Sequence, residues 1–547
     1  MKRLLSVFIS ICMIALLLPV GAAAVEVTPE TPTRVACAYF VDDSGELKQV
    51  YYDSLGDAVA AAQGDNANGR VYIAKNCSYE GDLTISRSTV FACNDDTNVI
   101  VTMTGSLTLN APLTIQNGAA FAIEAGADNE ACIVMEAGSS ITLNNVTLIL
   151  NDGIGILNNT NAAAKIVLPG DDLQANNCTA ALSGSFDLEL GSRGTFRTNN
   201  CGTAHVNGSL NINMGTESRM YFNNSTGTGL TANRITMSGL AAIFAENCLG
   251  NGIEAENIVM SSRSQIIADY CRSNGVVADN ITMDDSCFIE VKNSGKAPVS
   301  TFRLLRRAVT DTGCGLVVNG KLNMTGAKII AKDNKNSGII VNDLTADSGS
   351  TLTVTGNGAS EQAPAAMYVK GTALIEEGAN VDVSANTSGG VGVADGAKLT
   401  MKSGTVAING GSDIINEGSL SIAESVADKA EIKNNGSVSI IKDKDKDKAV
   451  TMAPMLLMRI GFANITVLDA EGEPVADGAY DLYSARGRKL RTCQTDENGV
   501  ISTRSLTGGT YYLVPAGEAL DTESAWSFEI IGFGKCEAFT MTTESEQ

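Results

Sequence analysis

Between Gly252 and Asn274 the apolar positions fall two apart: Ile253 and Ala255, then Ile258 and Met260, then Ile266 and Ala268, with Glu254, Asn257 and Gln265 among the residues between them. Period two over runs this short predicts strands, one spanning 253–260 and another around 266–268, with SSRS and CRSNG as the intervening turns. The pattern recurs. GLTANRITM from Gly229, GIEAENIVM from Gly252 and GVVADNITM from Gly275 follow at a step of 23 residues, and GLVVNGKLNM from Gly315 and GIIVNDLTAD from Gly338 are again 23 apart. A column of small residues keeps the same phase at Cys178, Cys201, Ser225, Cys248, Cys271 and Ser294, with Asn177, Asn200, Asn224, Asn247 and Asn293 standing just before it and Tyr270 as the exception. No stretch of ten or more residues in these units is helical in period, which excludes ankyrin, tetratricopeptide and leucine-rich arrangements. A constant coil length with like residues at like places predicts an all-β solenoid, a parallel β-helix in which each coil pairs in register with the next and the apolar positions fill a narrow core.

In coil length and in its Asn column at a turn, this stretch resembles the right-handed parallel β-helices of the pectate-lyase-like group, from about Asn76 to Ile441. At about 4.8 Å per coil, roughly 15 coils would extend for about 70 Å. Open coils need caps. In YYDSLGDAVAAAQG, Asp53 or Ser54 can cap a helix that places Leu55, Val59 and Ala62 on one face. A strand, this helix, a strand at Val71 to Ala74 and then GDLTI resemble the N-terminal cap of bacterial surface β-helices. The expected organisation is a signal peptide over 1–24, a cap over 25–80, the β-helix over 81–441, a charged linker over 442–463 and a separate domain over 464–547. KDKDKDK, from Lys442 to Lys448, imitates the start of a calcium loop, but Lys448 and Pro454 stand where glycine and the bidentate glutamate are needed, so it reads as a solvated linker.

After Asn464 the 23-residue phase stops, aromatics become frequent and the single Trp appears at Trp526. ITVLDAEGEPVADGAYDLY and TDENGVISTRSLTGGTYYLVPAG give short alternating strands broken by EGEP, ENG and GG, as in a small sandwich. Taken together, D-x-x-G-x-P-x-x-x-G-A, GAYDLY, TDENG and GTYYL resemble the SpaA/Cna-B prealbumin-like domains of Gram-positive surface proteins and pilins. That resemblance implies a surface role and raises the internal Lys–Asn isopeptide bond of many members. Asp481 matches the family's acid position, but Val467 stands at the lysine position and Glu529 in the last strand, so no isopeptide bond is expected here. Cys493 and Cys536 are candidates for a disulfide in its place.

Charge and leader narrow the setting. Lys and Arg number 39 against 61 Asp and Glu, a net charge of −22, which disfavours nucleic acid and anionic membranes as partners. Lys2 and Arg3, the apolar run Leu4 to Val20 and Ala22 to Ala24 read as a secretory signal cleaved after Ala24. No second long apolar segment follows, so no membrane span is expected in the mature chain. The end, TTESEQ, carries no sorting signal. Of the 13 cysteines, Cys12 falls in the signal. Those of the repeat column read as stacked thiols in a packed column rather than bridges, no Cys-x-x-Cys supports zinc, and no cofactor is expected.

Catalysis on a β-helix needs carboxylates or a base converging from neighbouring coils. Asp284 and Asp285 form the only Asp-Asp pair in the best repeats, at a turn where Ser261-Ser262 is the equivalent. Asp171-Asp172 and Asp95-Asp96 read likewise as turn decoration, and His205, the sole histidine, as a solvated turn residue. Between Pro298 and Gly315 the step collapses to 17, through an insertion or a shortened coil that carries Arg303, Arg306 and Arg307. With Asp284 and Asp285 these arginines are the candidate contacts for a glycan. The expectation is a secreted, non-catalytic bacterial surface or matrix protein, a rigid spacer and adhesin whose partner is a host or bacterial surface glycan or protein. The alternative is a polysaccharide lyase or glycosidase on the same scaffold.

Overall fold

The computed structural model describes residues 35–41, 46–93, 99–284, 286–296, 313–359, 363–387, 389–408, 413–427, 430, 432–441, 460–507, 509–522, 524–530 and 536–543. The chain divides into two units, 1–448 and 449–547.

The first unit is a β-solenoid of about 14 turns with coils near 23 residues. Among the described residues its coils supply a first sheet of 22 strands, which includes the cap, a second of 14, and a third of six confined to the N-terminal coils. In the strand Ile253–Met260 the side chains of Ile253, Ala255, Ile258 and Met260 are buried while Glu254, Glu256 and Asn257 are exposed, so the alternation slips one place at Glu256-Asn257. That slip is a corner. In earlier coils it is a full break, as between Ala180–Ser183 and Phe186–Leu190, where Gly184 takes φ 108°. From Leu230 the two segments run as one strand, and they part again at Met367–Val369 and Thr372–Ile375. Glycine opens each repeat because coils close up there. A Cβ on Gly252 would lie 2.6 Å from the Gly275 carbonyl oxygen and 2.7 Å from Cys271 Sγ.

Register runs through the 23-residue step: Ile212, Ile235, Ile258, Ile281, Leu322 and Leu344 are successive partners in one buried column. The asparagines before the small-residue column, Asn177, Asn200, Asn224, Asn247 and Asn293, all take φ between 54° and 57°, and Tyr270 takes 52°. This is the left-handed region that asparagine tolerates best among non-glycine residues. The column itself is buried. Its thiols donate to carbonyls of the preceding coil, Cys201 Sγ to Ala175 O at 3.3 Å and Cys248 Sγ to Phe222 O at 3.7 Å, and these cysteines are free. Hydrogen bonding with the adjoining thiol, and then burial, push Cys178 and Cys271 far above the ordinary thiol range, leaving them protonated and unreactive.

Beyond Ser294 the same column becomes a ladder of buried asparagines, Asn334, Asn357 and Asn386. Asn357 Oδ1 accepts from the Asn334 backbone N–H at 3.1 Å and from Asn334 Nδ2 at 2.8 Å, while Asn357 Nδ2 donates to Ala331 O at 2.9 Å and Asn386 Oδ1 at 3.2 Å. The irregular step is an insertion. Val276 pairs with Leu316 and Phe288 with Lys328, 40 residues on where other coils take about 23, so 17 are extra; past them the second-sheet ladder keeps its register and the first-sheet ladder shifts by one residue between Ala278 and Ile281.

The cap matches its pattern. A helix, Leu55–Ala62, starts at Ser54, whose hydroxyl accepts from Asp57 N, and buries Leu55, Ala58, Val59 and Ala62. Ala36–Val41 pairs antiparallel with Leu47–Tyr52 and with Ala67–Ile73, and the latter pairs parallel with Thr89–Cys93 to begin the stack.

His205 departs from its reading as a solvated turn residue. It is buried in the short strand His205–Val206, with Nε2 2.8 Å from Gly184 O and Nδ1 3.2 Å from Thr231 O, so its ring spans three coils. Burial lowers its pKa below the ordinary 6.5. The unfolded chain therefore takes up the proton first. The stability this imidazole contributes is complete above about pH 6.5 and is lost as pH falls through that value toward the folded pKa. Melting between about pH 7.5 and 5.5 should show a drop that is smaller in His205→Gln; equal drops would contradict this role.

In the second unit, Ile460–Leu468 pairs with Val500–Thr507 and, in parallel, with Cys536–Thr542. A second sheet joins Lys489–Gln494, Ala479–Ser484, Gly509–Pro515 and Trp526–Ile530. Both sheets share one core built from Ile465, Val467, Tyr480, Leu482, Leu513 and Phe528 among others. Asp469 Oδ1 accepts from Glu473 N at 2.8 Å and Asp496 Oδ1 from Val500 N at 2.8 Å, so each aspartate clamps its own EGEP or ENG turn.

Candidate functional site

Alternate residues of the second sheet point out of the solenoid, and stacking in register turns them into columns. Gln174, Arg197, Tyr221, Phe244, Ile267, Glu290 and Ile330 form one such column. The Arg197 guanidinium lies 5.2 Å from the centre of the Tyr221 ring, and that ring stacks on Phe244 at 5.0 Å and 6°. Arg197 Nε also reaches Asp172 Oδ1 at 3.3 Å. Alongside runs a column with Asn223, Glu246, Asp269 and Lys292, in which Lys292 Nζ stands 3.6 Å from Asp269 Oδ2 and 3.5 Å from Glu290 Oε2, and Asn293 Nδ2 donates to Asp269 Oδ1 at 2.9 Å. The face thus combines a short aromatic stack with the Arg197–Asp172 pair at one end and Lys292 between Asp269 and Glu290 at the other. Tyr221, Phe244, Ile267 and Glu290 are nevertheless buried, so the rings are packed rather than open, and the charged groups at the margins are what the face can offer a partner.

Of the residues singled out from the sequence, Asp172 meets this face through Arg197, and the others lie apart from it or outside the described chain. Asp284 sits in a turn, accepting from Ser262 N at 3.0 Å and from Cys287 Sγ at 3.4 Å, so its carboxylate ties one coil to the previous one. Asp285, Arg303, Arg306 and Arg307 lie outside the described residues, as do Asp95 and Asp96. Asp171 is buried and accepts from Val146 N at 3.0 Å, and desolvation raises its pKa. Among the described residues no group of three or more His, Cys, Asp or Glu side chains is placed to hold a metal ion, and no helix is long and apolar enough to cross a membrane. The outward column escaped a reading by residue identity because its members differ in type, although Tyr221, Phe244, Ile267 and Glu290 are spaced by the same 23 residues.

In the second unit Val467 points into the shared core. Asp481 lies between Tyr480 and Leu482, which face that core, and so points away from it. Its carboxylate is buried against Lys489 Nζ at 2.6 Å, Thr492 Oγ1 at 2.6 Å and Gly517 N at 3.3 Å. The bonds from Lys489 and Thr492 hold its pKa below the ordinary carboxylate value. Lys489 was not legible as its partner from sequence. Cys493 is a half-buried free thiol whose pKa burial raises; the Cys536 side chain lies outside those described.

No family model and no curated protein sequence matches the chain. Among solved structures, the TIE protein of Bacillus anthracis is 18% identical over 21% of this chain and 19% of that one, with a TM-score of 0.14. GBS52, the minor pilin of Streptococcus agalactiae, is 16% identical over 20% of this chain and 50% of that one, with a TM-score of 0.15. The matches thus span about a fifth of the first protein and half of the second.

Proposed function

We propose that this chain is a secreted, non-catalytic bacterial surface or matrix protein, a stiff spacer that presents a binding face to a surface glycan or protein. The observation that carries the reading is the continuous parallel pairing from Ala67–Ile73 to Ser437–Ile441, carried across a 17-residue insertion with only a one-residue shift. A ladder of this length resists local unfolding because every interior coil has two partners. The signal-like leader and the acidic surface fit life outside the cell. We further assign the solenoid to the right-handed, pectate-lyase-like group and the second unit to SpaA/Cna-B domains, on coil length, the Asn column and the GAYDLY, TDENG and GTYYL motifs. The whole mature chain, labelled and applied to a glycan array and to host matrix proteins, should bind at least one class. Failure to bind any, with release of sugars from one, would replace this reading by the enzymatic one.

No isopeptide bond is expected in the second unit, since Val467 supplies no amine. Mass spectrometry of the 464–547 region released from the whole chain should give the sequence mass. A loss of about 17 or 18 Da would overturn this, and a loss of about 2 Da reversed by reductant would establish a Cys493–Cys536 bridge.

A further inference from the structure

The cap helix leaves a gap beside it. Between Leu55–Ala62 and the first coil's strands Cys77–Glu80 and Leu83–Ile85 lies a cavity of about 400 Å³. That is far more than one water needs and within the range of small-molecule sites. The buried Val59 and Leu83 and the half-buried Tyr79 ring give it apolar surface, and Asp57, Gln63 and Asp82 give it polar groups.

The cavity is built rather than left over. A Cβ on Gly56 would lie 2.6 Å from Tyr79 Cε2 and 2.9 Å from the Tyr79 hydroxyl, so the ring rests directly on the helix backbone. Glycine is a poor helix former, and this close approach is what the position gains from it. Gln63 pins the other end of the helix to the coil: Nε2 donates to Thr84 O at 2.8 Å, and Oε1 accepts from Ser86 Oγ at 2.6 Å and from Ser86 N.

The two acids face the cavity without cations. Asp82 accepts through Oδ1, from Ser106 N at 2.7 Å and Asn129 Nδ2 at 3.1 Å, and Asp57 through Oδ2, from Ser54 Oγ at 2.8 Å. Arg87, in the turn after Leu83–Ile85, donates instead to Gly64 O at 2.6 Å. Among the described residues the second oxygen of each carboxylate has no hydrogen-bond partner, and neither acid has a basic one. A ring and two carboxylates around one cavity attract positive charge and repel an anion, while the apolar base takes a carbon body. A bare metal ion is a poor occupant, since among the described residues no third His, Cys, Asp or Glu joins the two acids.

We propose that this gap in the cap binds a small organic cation, an ammonium group on a sugar-sized or alkyl body, with Tyr79 as its aromatic wall and Asp57 and Asp82 as its counter-charges. Amino sugars and choline-like groups share that chemistry. The site lies at the N-terminal end of the solenoid, apart from the outward face of the second sheet, and stands whichever partner that face has.

Saturation-transfer NMR on the whole mature chain tests it, with glucosamine and choline as probes and uncharged N-acetylglucosamine as the control. At least one cation should bind saturably and the control should not; glucosamine alone marks an amino-sugar site and choline alone a quaternary-ammonium site, and either supports the proposal. Binding should fall several-fold in Asp57→Asn and in Asp82→Asn, each of which keeps an oxygen for its present hydrogen bonds, and vanish in the double variant. No binding of either cation, equal binding of N-acetylglucosamine and glucosamine, or undiminished binding in the double variant overturns it. If the double variant melts well below the wild type, Ala60→Trp decides, because the exposed Ala60 lines the cavity and an indole there fills it. Lost binding with wild-type melting supports the site, and retained binding contradicts it.

Discussion

Replacing Ile258 or Ile281 by aspartate should unzip the solenoid around the altered coil and lower its melting temperature sharply. Both side chains are wholly buried in the Ile212–Leu344 column, each between an isoleucine above and an aliphatic residue below. A carboxylate there loses the apolar contacts of the isoleucine and gains no partner for its charge, at a cost of about 5 kcal/mol or more. Neutralisation by an upward pKa shift would soften the effect, so the deficit should be largest near neutral pH and shrink in acid. In a stack whose coils contact only their neighbours, the damage opens a cleavage site in mid-stack. Thermal melting with limited proteolysis reads it. Wild-type melting in both variants would refute the register.

Asn357→Ala should be nearly as damaging although it removes no charge and little apolar surface. The amide joins Asn334 above, Asn386 below and the Ala331 carbonyl beside it, all in a buried column. Truncation takes from the buried Asn334 backbone N–H and side-chain amide the oxygen they both donate to, a loss of about 3 kcal/mol. Asn357→Cys is the informative comparison, since cysteines fill this column further up by donating to the preceding coil's carbonyl. It should recover part of the stability, because a thiol restores the donor and not the acceptor. Equal melting of the alanine variant and wild type would show that the ladder is dispensable.

Coil length, the asparagine column at a turn and the cap helix were legible because each is a local property: a step count, a recurring residue type, a face of seven or eight residues. The asparagine ladder was not, because the insertion after Lys296 broke the count that would have aligned Ser294 with Asn334. The same insertion looked like a short step of 17 when measured from Pro298 rather than from Gly275. His205 was misplaced because its neighbours in sequence form a turn while its neighbours in space, Gly184 and Thr231, lie on adjoining coils. The outward aromatic column needed both the 23-residue period and the phase of the pleat, since only the second says that Tyr221 and Phe244 face out while Met220 and Phe222 face in. For the acids, proximity in sequence misled. Asp284 is engaged with the Ser262 amide, whereas Glu290, six residues on, belongs to a different face of the coil.

The central claim is that these coils hold and present rather than cut. Its most direct test is incubation of the purified chain with pectin, alginate and a glycosaminoglycan, followed by assay of reducing ends and unsaturated uronate. The account predicts no release above a protein-free blank from any of them. Release from one substrate that is abolished in Asp285→Asn would contradict it and place an active site at the turn after Met283.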